Sequence, residues 1–388
     1  MSKLKSQLYI YSLGFVNYAL KSIFKKSPSG VEHKKILVCH DFLLGDLIMV
    51  LDLVKSILKV NEDKDVYVCC KPAYASLLRL LMPEIIPVPV IFRSVESVRV
   101  LCSLGPFDEA FIPGNNKFSW VASAARSEKI IALDGWRRAI DNLPVTHLVE
   151  NESDNIRTLA EIFSSLLVLD SHSVSNISCS NIKISGEHAT SALNNAGLRL
   201  QSKYAILHVG ASNRVRFWPK EYWRELAFWI RDKGIEPVLT FGPGEDELIS
   251  SINFDNEFTA MKSAVSLVDM AIIVYHSSFV CCLDSGVAHL SKFFGKTTFC
   301  LFGPGSDIAF GGGARNFHSV VCSEPIWCKN QNTLFGRSYP WLKRCGRNYD
   351  SCLQKDGGYS YCMKKLTVDL VQKKIMSVIE SDINEFKS

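Results

Sequence analysis

The side chains best suited to chemistry follow an apolar run, residues 279–283, in the second half of the chain. Asp284, Ser285 and Gly286 end that run, and His289 lies five residues beyond the aspartate. Such a run predicts a buried parallel strand, with a helix beginning near the glycine. A helix N-terminus at the end of a strand offers unpaired N–H groups and a partial positive charge to a phosphate. The segment therefore predicts a phosphate-binding pocket, although a lone histidine on a helix is usually structural.

A loop upstream carries groups suited to a diphosphate. Gly210, Ala211 and Ser212 follow a predicted strand and are small enough for a ligand to approach the backbone closely. Arg214 and Arg216 come next, and two arginines in one loop can hold phosphate oxygens through paired hydrogen bonds. A solvated basic loop is the alternative interpretation.

Two more loops that follow predicted strands carry candidate binding groups. Glu245 can accept hydrogen bonds from ribose or sugar hydroxyls, or can favour the dipole of the helix that it precedes. Gly303, Pro304 and Gly305 form a turn that can present backbone N–H groups to a phosphate. Open α/β sheets bind ligands at the carboxyl ends of their strands, so these loops are expected to lie together.

The first half offers one candidate catalytic group. His40 and Asp41 close the predicted strand 35–40, Gly45 lets the backbone turn, and Asp46 begins a helix predicted from about residue 46 to 60. Asp46 is either a general base or an N-cap. One His-Asp pair without further spaced ligands is weak evidence for a metal, and none is predicted there.

Composition limits the classes of protein. The chain has 388 residues, 47% hydrophobic and 21% charged, which predicts two globular domains. A net charge of +5 does not indicate a nucleic-acid partner. No apolar run is long enough to span a membrane. The 13 cysteines, in a chain without a signal peptide, predict reduced thiols and a cytoplasmic protein.

The C-terminal cysteines lack the paired C-x-x-C spacing of a zinc site, so no metal is predicted there either. They are Cys322, Cys328, Cys345, Cys352 and Cys362.

Residues 1–33 form a distinct amphipathic and basic segment. Lysines bracket an aromatic and apolar stretch at residues 8–16. This pattern predicts either an interfacial helix on an anionic leaflet or a helix packed on the protein's own surface.

Two alternating series of strands and helices follow, which indicates two α/β domains. We place the first at residues 34–190 and the second at residues 191–388, with a polar, Ser/Asn-rich stretch at 171–180 in the region that joins them. Two such domains are expected to form a cleft between their carboxyl-end loops.

Taken in order, these blocks resemble glycosyltransferase family 9, the bacterial lipopolysaccharide heptosyltransferases. The likeness covers roughly residues 35–380. The matching blocks are Leu44-Gly45-Asp46, His208 to Ser212 with Arg216 to Pro219, Leu283 to Gly286 with His289, Phe302 to Gly305, and Cys362 to Thr367.

The resemblance implies a GT-B architecture, in which two Rossmann-like, doubly wound domains face each other across a cleft. It implies inverting, metal-independent transfer without a cofactor, with ADP-heptose as donor and a lipid-linked lipopolysaccharide core as acceptor at the cytoplasmic face of the inner membrane. It assigns Asp46 as general base. By the same likeness the first domain binds the acceptor and the second binds the donor. The acceptor residues are His40, Asp41, Leu44 and Gly45, and the donor residues are Gly210, Ala211, Ser212, Arg216, Glu245, Asp284, Ser285, Gly286, His289, Gly303, Pro304 and Gly305.

Some positions depart from the family pattern. Val209 stands where proline is frequent, Arg216 where lysine is frequent, and Cys282 and Leu283 where Gly-Asn is frequent. Two alternatives therefore stay open. One is a transferase of the same fold that uses a UDP-sugar, and the other is a non-catalytic glycan-binding or assembly protein.

Overall fold

The computed structural model describes residues 2–24, 34–167, 184–199 and 203–385. The chain divides into two compact units. Unit 1 comprises Met1–Ile177 with Thr333–Trp341, and unit 2 comprises Ser178–Asn332 with Leu342–Ser388. This division differs from the predicted domains at 34–190 and 191–388. The N-terminal segment belongs to unit 1, and the helix at Gly186–Asn195 belongs wholly to unit 2.

Unit 1 is built on one parallel sheet of six strands. They are β1 (Lys35–Val38), β2 (Asp65–Cys70), β3 (Ile86–Pro89), β4 (Phe107–Ile112), β5 (Ser127–Leu133) and β6 (His147–Val149). The order across the sheet is β3-β2-β1-β4-β5-β6, and all neighbours run parallel. This is the doubly wound order, in which the direction of progress reverses between β1 and β4.

Helices flank this sheet. They are α1 (Ser2–Phe24), α2 (Leu44–Val60), α3 (Ala75–Leu81), α4 (Val95–Leu104), α5 (Ser119–Ala124) and α6 (Leu159–Ser164). Local sequence explains several of their boundaries. Ser94 caps α4 by accepting a hydrogen bond from the Ser97 N–H, and Thr158 with Glu161 forms a capping box at the start of α6.

The helix α1 packs one face on unit 1, which confirms the packed-helix interpretation for that face. Ile10 is buried, and the Ser123 hydroxyl donates a hydrogen bond to the Gly14 carbonyl at 2.8 Å. The Asn17 amide donates to the carbonyls of Ser123 and Ala124 at 3.0 and 3.2 Å. A Cβ at position 14 would lie 2.7 Å from a backbone oxygen of α5, so the close approach of α1 requires glycine.

A segment from far along the chain completes unit 1. We call Thr333–Trp341 the arm; it forms a short antiparallel hairpin. Its Arg337 is 2% exposed and donates hydrogen bonds to main-chain carbonyls and to one amide oxygen. Burial lowers the pKa of Arg337 to about 10, so the guanidinium stays charged at neutral pH. The acceptors are the carbonyls of Gly114, Leu133, Asp134 and Phe335 and Oδ1 of Asn116.

Unit 2 repeats the architecture. Its strands are β7 (Tyr204–His208), β8 (Glu236–Thr240), β9 (Thr259–Ala260), β10 (Phe279–Leu283), β11 (Thr298–Phe302) and β12 (Phe317–Val321). They lie in the order β12-β11-β10-β7-β8-β9, again all parallel. The reversal therefore falls between β7 and β10.

The helices of unit 2 cover both faces of this sheet. They are α7 (Gly186–Asn195), α8 (Lys220–Asp232), α9 (Asp246–Ile252), α10 (Leu267–His276), α11 (Gly286–Phe293), α12 (Asp307–Gly311), α13 (Tyr361–Lys364) and α14 (Val368–Glu385). Pro219 is the N-cap of α8. Gly234 follows this helix with a φ of +77°, a conformation that favours glycine.

The described part of the chain contains twelve cysteines, all of them free thiols. Among the same residues, no helix combines the length and the apolar character needed to cross a bilayer. The polar stretch 171–180 that was placed between the domains lies outside the described residues.

Candidate functional site

The predicted site residues of each unit lie beside the reversal point of its own sheet. In unit 1 the segment that follows β1 carries His40 to Asp46, and in unit 2 the segments after β7 and β10 carry Gly210 to Arg216 and Asp284 to His289. Strands that diverge at a reversal point leave a crevice at their carboxyl ends, where open α/β sheets bind ligands. The topology therefore brings the predicted donor residues of unit 2 to one edge.

Arg216 is held at this edge by Asp284. Its Nη1 donates a hydrogen bond to the Asp284 carbonyl at 2.7 Å, and its Nη2 lies 3.6 Å from the Asp284 carboxylate. The Arg216 side chain is 28% exposed, whereas that of Asp284 is 7% exposed. Asp284 thus fixes the position of the Arg216 guanidinium, while the side chain as a whole remains partly exposed. Arg214 differs, because its guanidinium lies over the Tyr349 ring at 4.6 Å from the centroid.

The N-terminus of α11 supplies the second electropositive element of the edge. Its N-cap is Ser285, whose side chain makes no capping hydrogen bond. Buried polar atoms without a hydrogen-bond partner cluster here: the Ser285 hydroxyl, Oδ2 of Asp284 and Nδ1 of His289. Buried polar groups are nearly always hydrogen-bonded, so such a cluster indicates a place for a polar ligand.

His289 is buried and neutral at physiological pH. Desolvation lowers the pKa of His289 to about 4, against the opposing effect of the nearby Asp284 carboxylate. A neutral imidazole can donate or accept one hydrogen bond, so His289 is suited to orienting a ligand rather than to balancing phosphate charge.

The Glu245 side chain folds back onto the loop that follows β8. Its Oε2 accepts a hydrogen bond from the Gly242 N–H at 2.7 Å, and the Ala211 N–H also bonds to it. Burial raises the pKa of Glu245, and these two backbone bonds oppose that rise. A Cβ at position 210 would collide with the Glu245 carboxylate, so a larger residue there would displace this carboxylate from its present position. The carboxylate therefore ties the β7 loop to the β8 loop.

The turn after β11 packs between Asp284 and the C-terminal region. A Cβ at Gly305 would collide with the Asp284 carboxylate, and one at Gly303 with Met363. The Pro304 carbonyl accepts a hydrogen bond from the Cys345 N–H at 2.8 Å. The two glycines therefore allow this turn to lie close to the Arg216–Asp284 pair.

Lys329 is a cation of this region that the sequence did not indicate. It is half-buried, and burial lowers the pKa of its ammonium group. The charges of Asp307, Cys362 and Asp284 oppose that shift, which places Lys329 near the edge. Its segment is irregular and follows no strand end of the predicted series, so no sequence signal pointed to it.

In unit 1, His40 lies inside an aromatic cluster. It is 3% exposed, and its ring is 4.5 to 5.4 Å from the rings of Phe42, Phe118 and Phe335. Desolvation, with smaller effects of nearby cations, lowers the pKa of His40 to about 3. Both ring nitrogens lack a hydrogen-bond partner. In this structure His40 is surrounded by aromatic side chains, so an acceptor could reach it only if they moved.

Asp46 is the third residue of α2, two residues after the helix begins at Leu44. The N-cap is Leu43, which makes no side-chain capping bond, so Asp46 is not the N-cap that the sequence left open. The partial positive charge of the first helical turn stabilises the ionised form of this half-buried carboxylate.

Tyr74 is a neighbour of Asp46 that the sequence analysis missed. Burial raises the pKa of Tyr74, and the charges of Asp41 and Asp46 raise it further, against a hydrogen bond with the Leu44 backbone. The phenol thus lies beside both carboxylates. Gly45 is the second residue of α2, so the tight backbone turn predicted at this glycine is wrong. Asp41, Asp46 and Tyr74 can together bind a hydroxyl-bearing ligand and accept its proton.

The C-terminal cysteines approach one another without forming a ligand set. The Arg347 guanidinium donates to the Cys328 carbonyl at 3.0 Å and lies 3.5 Å from the Cys345 sulfur. Within the described ranges, no group of three or more His, Cys, Asp or Glu side chains is arranged to hold a metal ion.

Comparisons with known proteins agree with this architecture. The model of Glycosyltransferase family 9 (heptosyltransferase) matches residues 110–335. Lipopolysaccharide heptosyltransferase 1 of Escherichia coli strain K12 is 27% identical over 124 residues, which are 32% of this chain. That alignment spans only 38% of the length of the E. coli protein.

Two solved structures share the fold over nearly the whole chain. The glycosyl transferase family 9 protein from Veillonella parvula DSM 2008 has a TM-score of 0.69 at 15% identity, covering 90% of this chain and 98% of that one. E. coli ADP-heptose lps heptosyltransferase II has a TM-score of 0.67 at 15% identity, covering 90% and 99%. The predicted fold class, α/β with two doubly wound sheets of the GT-B type, is confirmed.

Proposed function

Because this chain belongs to glycosyltransferase family 9, the heptosyltransferase family, we propose that it transfers a heptose or related sugar from a nucleotide-activated donor to a surface-glycan acceptor. The donor is ADP-heptose and the acceptor is a lipopolysaccharide core or a related lipid-linked glycan. The similar E. coli proteins, named lipopolysaccharide heptosyltransferase 1 and ADP-heptose lps heptosyltransferase II, support both assignments.

The observation that carries the proposal is the Arg216–Asp284 pair beside the uncapped N-terminus of α11. The partly exposed Arg216 side chain, held by Asp284, and the N-terminus of α11 provide positive charge at one edge. Both are groups that bind diphosphates. The unpartnered Ser285 hydroxyl and His289 imidazole supply polar contacts for the nucleotide or the sugar.

The chemistry assigned to unit 2 is stabilisation of the leaving group. As the anomeric C–O bond breaks, negative charge accumulates on the diphosphate. Preorganised cations and N–H groups stabilise this charge and so lower the activation free energy. We assign this work to Arg216, with Lys329 as a second cation, the Gly303–Gly305 turn and the start of α11. Transfer is then metal-independent and needs no cofactor, with the nucleotide-sugar as co-substrate.

The chemistry assigned to unit 1 is proton removal. In an inverting displacement the acceptor hydroxyl attacks the anomeric carbon directly and must lose its proton as the new bond forms. We assign the base to Asp46, whose ionised form the N-terminus of α2 stabilises. Asp41, Leu44, Gly45 and the newly identified Tyr74 are the acceptor contacts. His40 then supports this segment from within the aromatic cluster.

An acceptor of this kind is anchored in a membrane. We therefore place the reaction at the cytoplasmic face of the inner membrane, with the enzyme in peripheral contact.

The test is ligand-dependent thermal stability followed by transfer. A nucleotide that binds the folded state raises the melting temperature, so ADP is expected to stabilise the protein more than UDP or GDP at equal concentration. ADP-heptose with a truncated lipopolysaccharide should then give a product that is one heptose heavier by mass spectrometry. Stabilisation by UDP alone would overturn the donor assignment. ADP binding without any transfer would favour the non-catalytic glycan-binding alternative.

A further inference from the structure

The helix α1 presents two different apolar faces. The inner face, through Ile10, Gly14 and Asn17, is fixed to unit 1 by packing and by the hydrogen bonds already described. Ser6 adds a bond from its hydroxyl to the Phe92 carbonyl at 2.7 Å. The helix is therefore a rigid part of unit 1 over this length.

The opposite face of α1, which we call the outer face, is apolar yet exposed. Its members are five large side chains, of which the first three share one helical stripe and the last two lie farther round the helix. They are Leu4 (65% exposed), Leu8 (59%), Phe15 (56%), Val16 (50%) and Leu20 (46%). Contiguous apolar patches of this kind on a protein surface mark an interaction site.

The sequence that contains α1 is basic. The first 31 residues carry five lysines and no aspartate or glutamate. Among the described side chains, Lys5 is exposed beside the stripe, and the exposed Arg99 lies over the Tyr9 ring at 5.3 Å from the centroid. On the other flank Arg138 is 61% exposed, near the Asp141 side chain that contacts Tyr11. An apolar stripe with a cationic rim complements a negatively charged, partly apolar surface.

We propose that the outer face of α1 is the docking surface for an anionic lipid bilayer. The helix would lie in the plane of the interface, with Leu8 and Phe15 at the level where headgroups meet acyl chains and with the basic rim at the lipid phosphates. A second copy of this chain fits less well, because a symmetric contact through the same face would bring like charges together. The assignment deepens the proposed membrane contact by naming its surface, and it does not depend on the catalytic residues.

The experiment is flotation of the full-length protein with vesicles. Vesicles of phosphatidylglycerol and phosphatidylcholine are compared with vesicles of phosphatidylcholine alone, at low and high salt. The wild-type protein is expected to float with the anionic vesicles and to be partly released by salt, since screening weakens the electrostatic attraction. The double variant Leu8→Glu, Phe15→Glu is expected to lose about tenfold or more in vesicle partitioning.

Three controls make the outcome interpretable. Phe254→Glu changes an equally exposed apolar side chain of unit 2 and should bind as wild type does. Lys5→Glu reverses the charge of an exposed side chain without changing an apolar one, and it should weaken binding to anionic vesicles only. The melting temperature of every variant should stay near wild type, because each replaced side chain is more than half exposed or lies on the surface.

The proposal is overturned if wild-type protein fails to float with anionic vesicles, or if the double variant floats equally well. A concentration-dependent dimer that the double variant abolishes, without vesicle binding, would instead assign the face to self-association. Transfer activity with detergent-dispersed acceptor is measured in parallel. Absence of transfer by the wild-type protein would count against the proposed function, whereas absence of flotation with transfer intact counts only against the docking surface.

Discussion

Replacing Arg216 with alanine should weaken ADP binding strongly while leaving the fold intact. The guanidinium is the partly open cation at the edge of the second sheet, and it is positioned by the Asp284 carbonyl and carboxylate at 2.7 and 3.6 Å. A hydrogen bond to a charged group contributes about 1.5 to 3 kcal/mol. Its loss corresponds to a dissociation constant for ADP that is about 10- to 150-fold higher.

The neighbouring Arg214 offers a matched control. It lies two residues away in the same turn, yet its guanidinium covers the Tyr349 ring instead of bonding to Asp284. Arg214→Ala removes the same charge from the same loop and should raise the dissociation constant less than about threefold, the effect of long-range charge in salt. Arg216→Lys should give an intermediate value, because an ammonium keeps the charge but cannot span both Asp284 acceptors.

The assay is calorimetric titration of ADP at fixed ionic strength, with circular dichroism as a check of folding. The reasoning is refuted if Arg216→Ala binds ADP within twofold of wild type. It is also refuted if Arg214→Ala loses as much affinity as Arg216→Ala, because the position of the guanidinium would then be irrelevant.

Three further predictions concern the two units. Lys329→Ala should raise the dissociation constant for ADP several-fold in the same titration, and an unchanged value would remove Lys329 from the donor site. Burial lowers the pKa of His208 and of His289 to about 4. Below pH 6.5 the unfolded chain therefore binds more protons than the folded chain. The free energy of unfolding should fall as the pH drops from 6.5 toward 4, by up to about 1.4 kcal/mol per pH unit for each histidine. Urea unfolding at pH 7 and pH 5 measures this loss, and His208→Gln should reduce it. Arg337→Met should cost at least about 3 kcal/mol of stability by stranding buried acceptors, while the exposed Arg137→Met should cost little; equal melting temperatures would contradict the burial argument.

Much of the fold could be predicted from local sequence. The apolar run at 279–283 became β10 with the predicted bounds, because it is uninterrupted and ends at a polar residue. The predicted donor residues of unit 2 lie at one end of its sheet, because parallel strands share their carboxyl ends. That step needed only the alternation of strands and helices.

The remaining structure depends on distant parts of the chain. The strands β6, β9 and β12 are short or carry polar residues. They are recognised as strands because each pairs with the outermost neighbour of its sheet, and their own residue pattern does not predict them. The arm joins unit 1 through Arg337, about 200 residues from the carbonyls that it binds, and no local signal predicts such a contact. His40 is enclosed partly by Phe335 of the same arm, so its burial was equally hidden.

Tyr74 and Lys329 show the same limit at the candidate sites. Each was missed because its neighbours come from other elements: Asp41 and Asp46 for the phenol, and Asp284 for the ammonium. Asp46 was found because it lies on the helix that directly follows a strand end. The alternative that Asp46 is the N-cap of this helix is wrong, because α2 begins at Leu44.

The measurement that tests the central claim most directly is the transfer rate of Asp46→Asn with ADP-heptose and a lipopolysaccharide acceptor, set beside its affinity for ADP. The substitution keeps the size of the side chain and removes its capacity to take a proton. The account predicts a rate about 100- to 10,000-fold below wild type with an unchanged dissociation constant for ADP. Transfer at the wild-type rate would contradict it, because some group other than Asp46 would then be removing the acceptor proton.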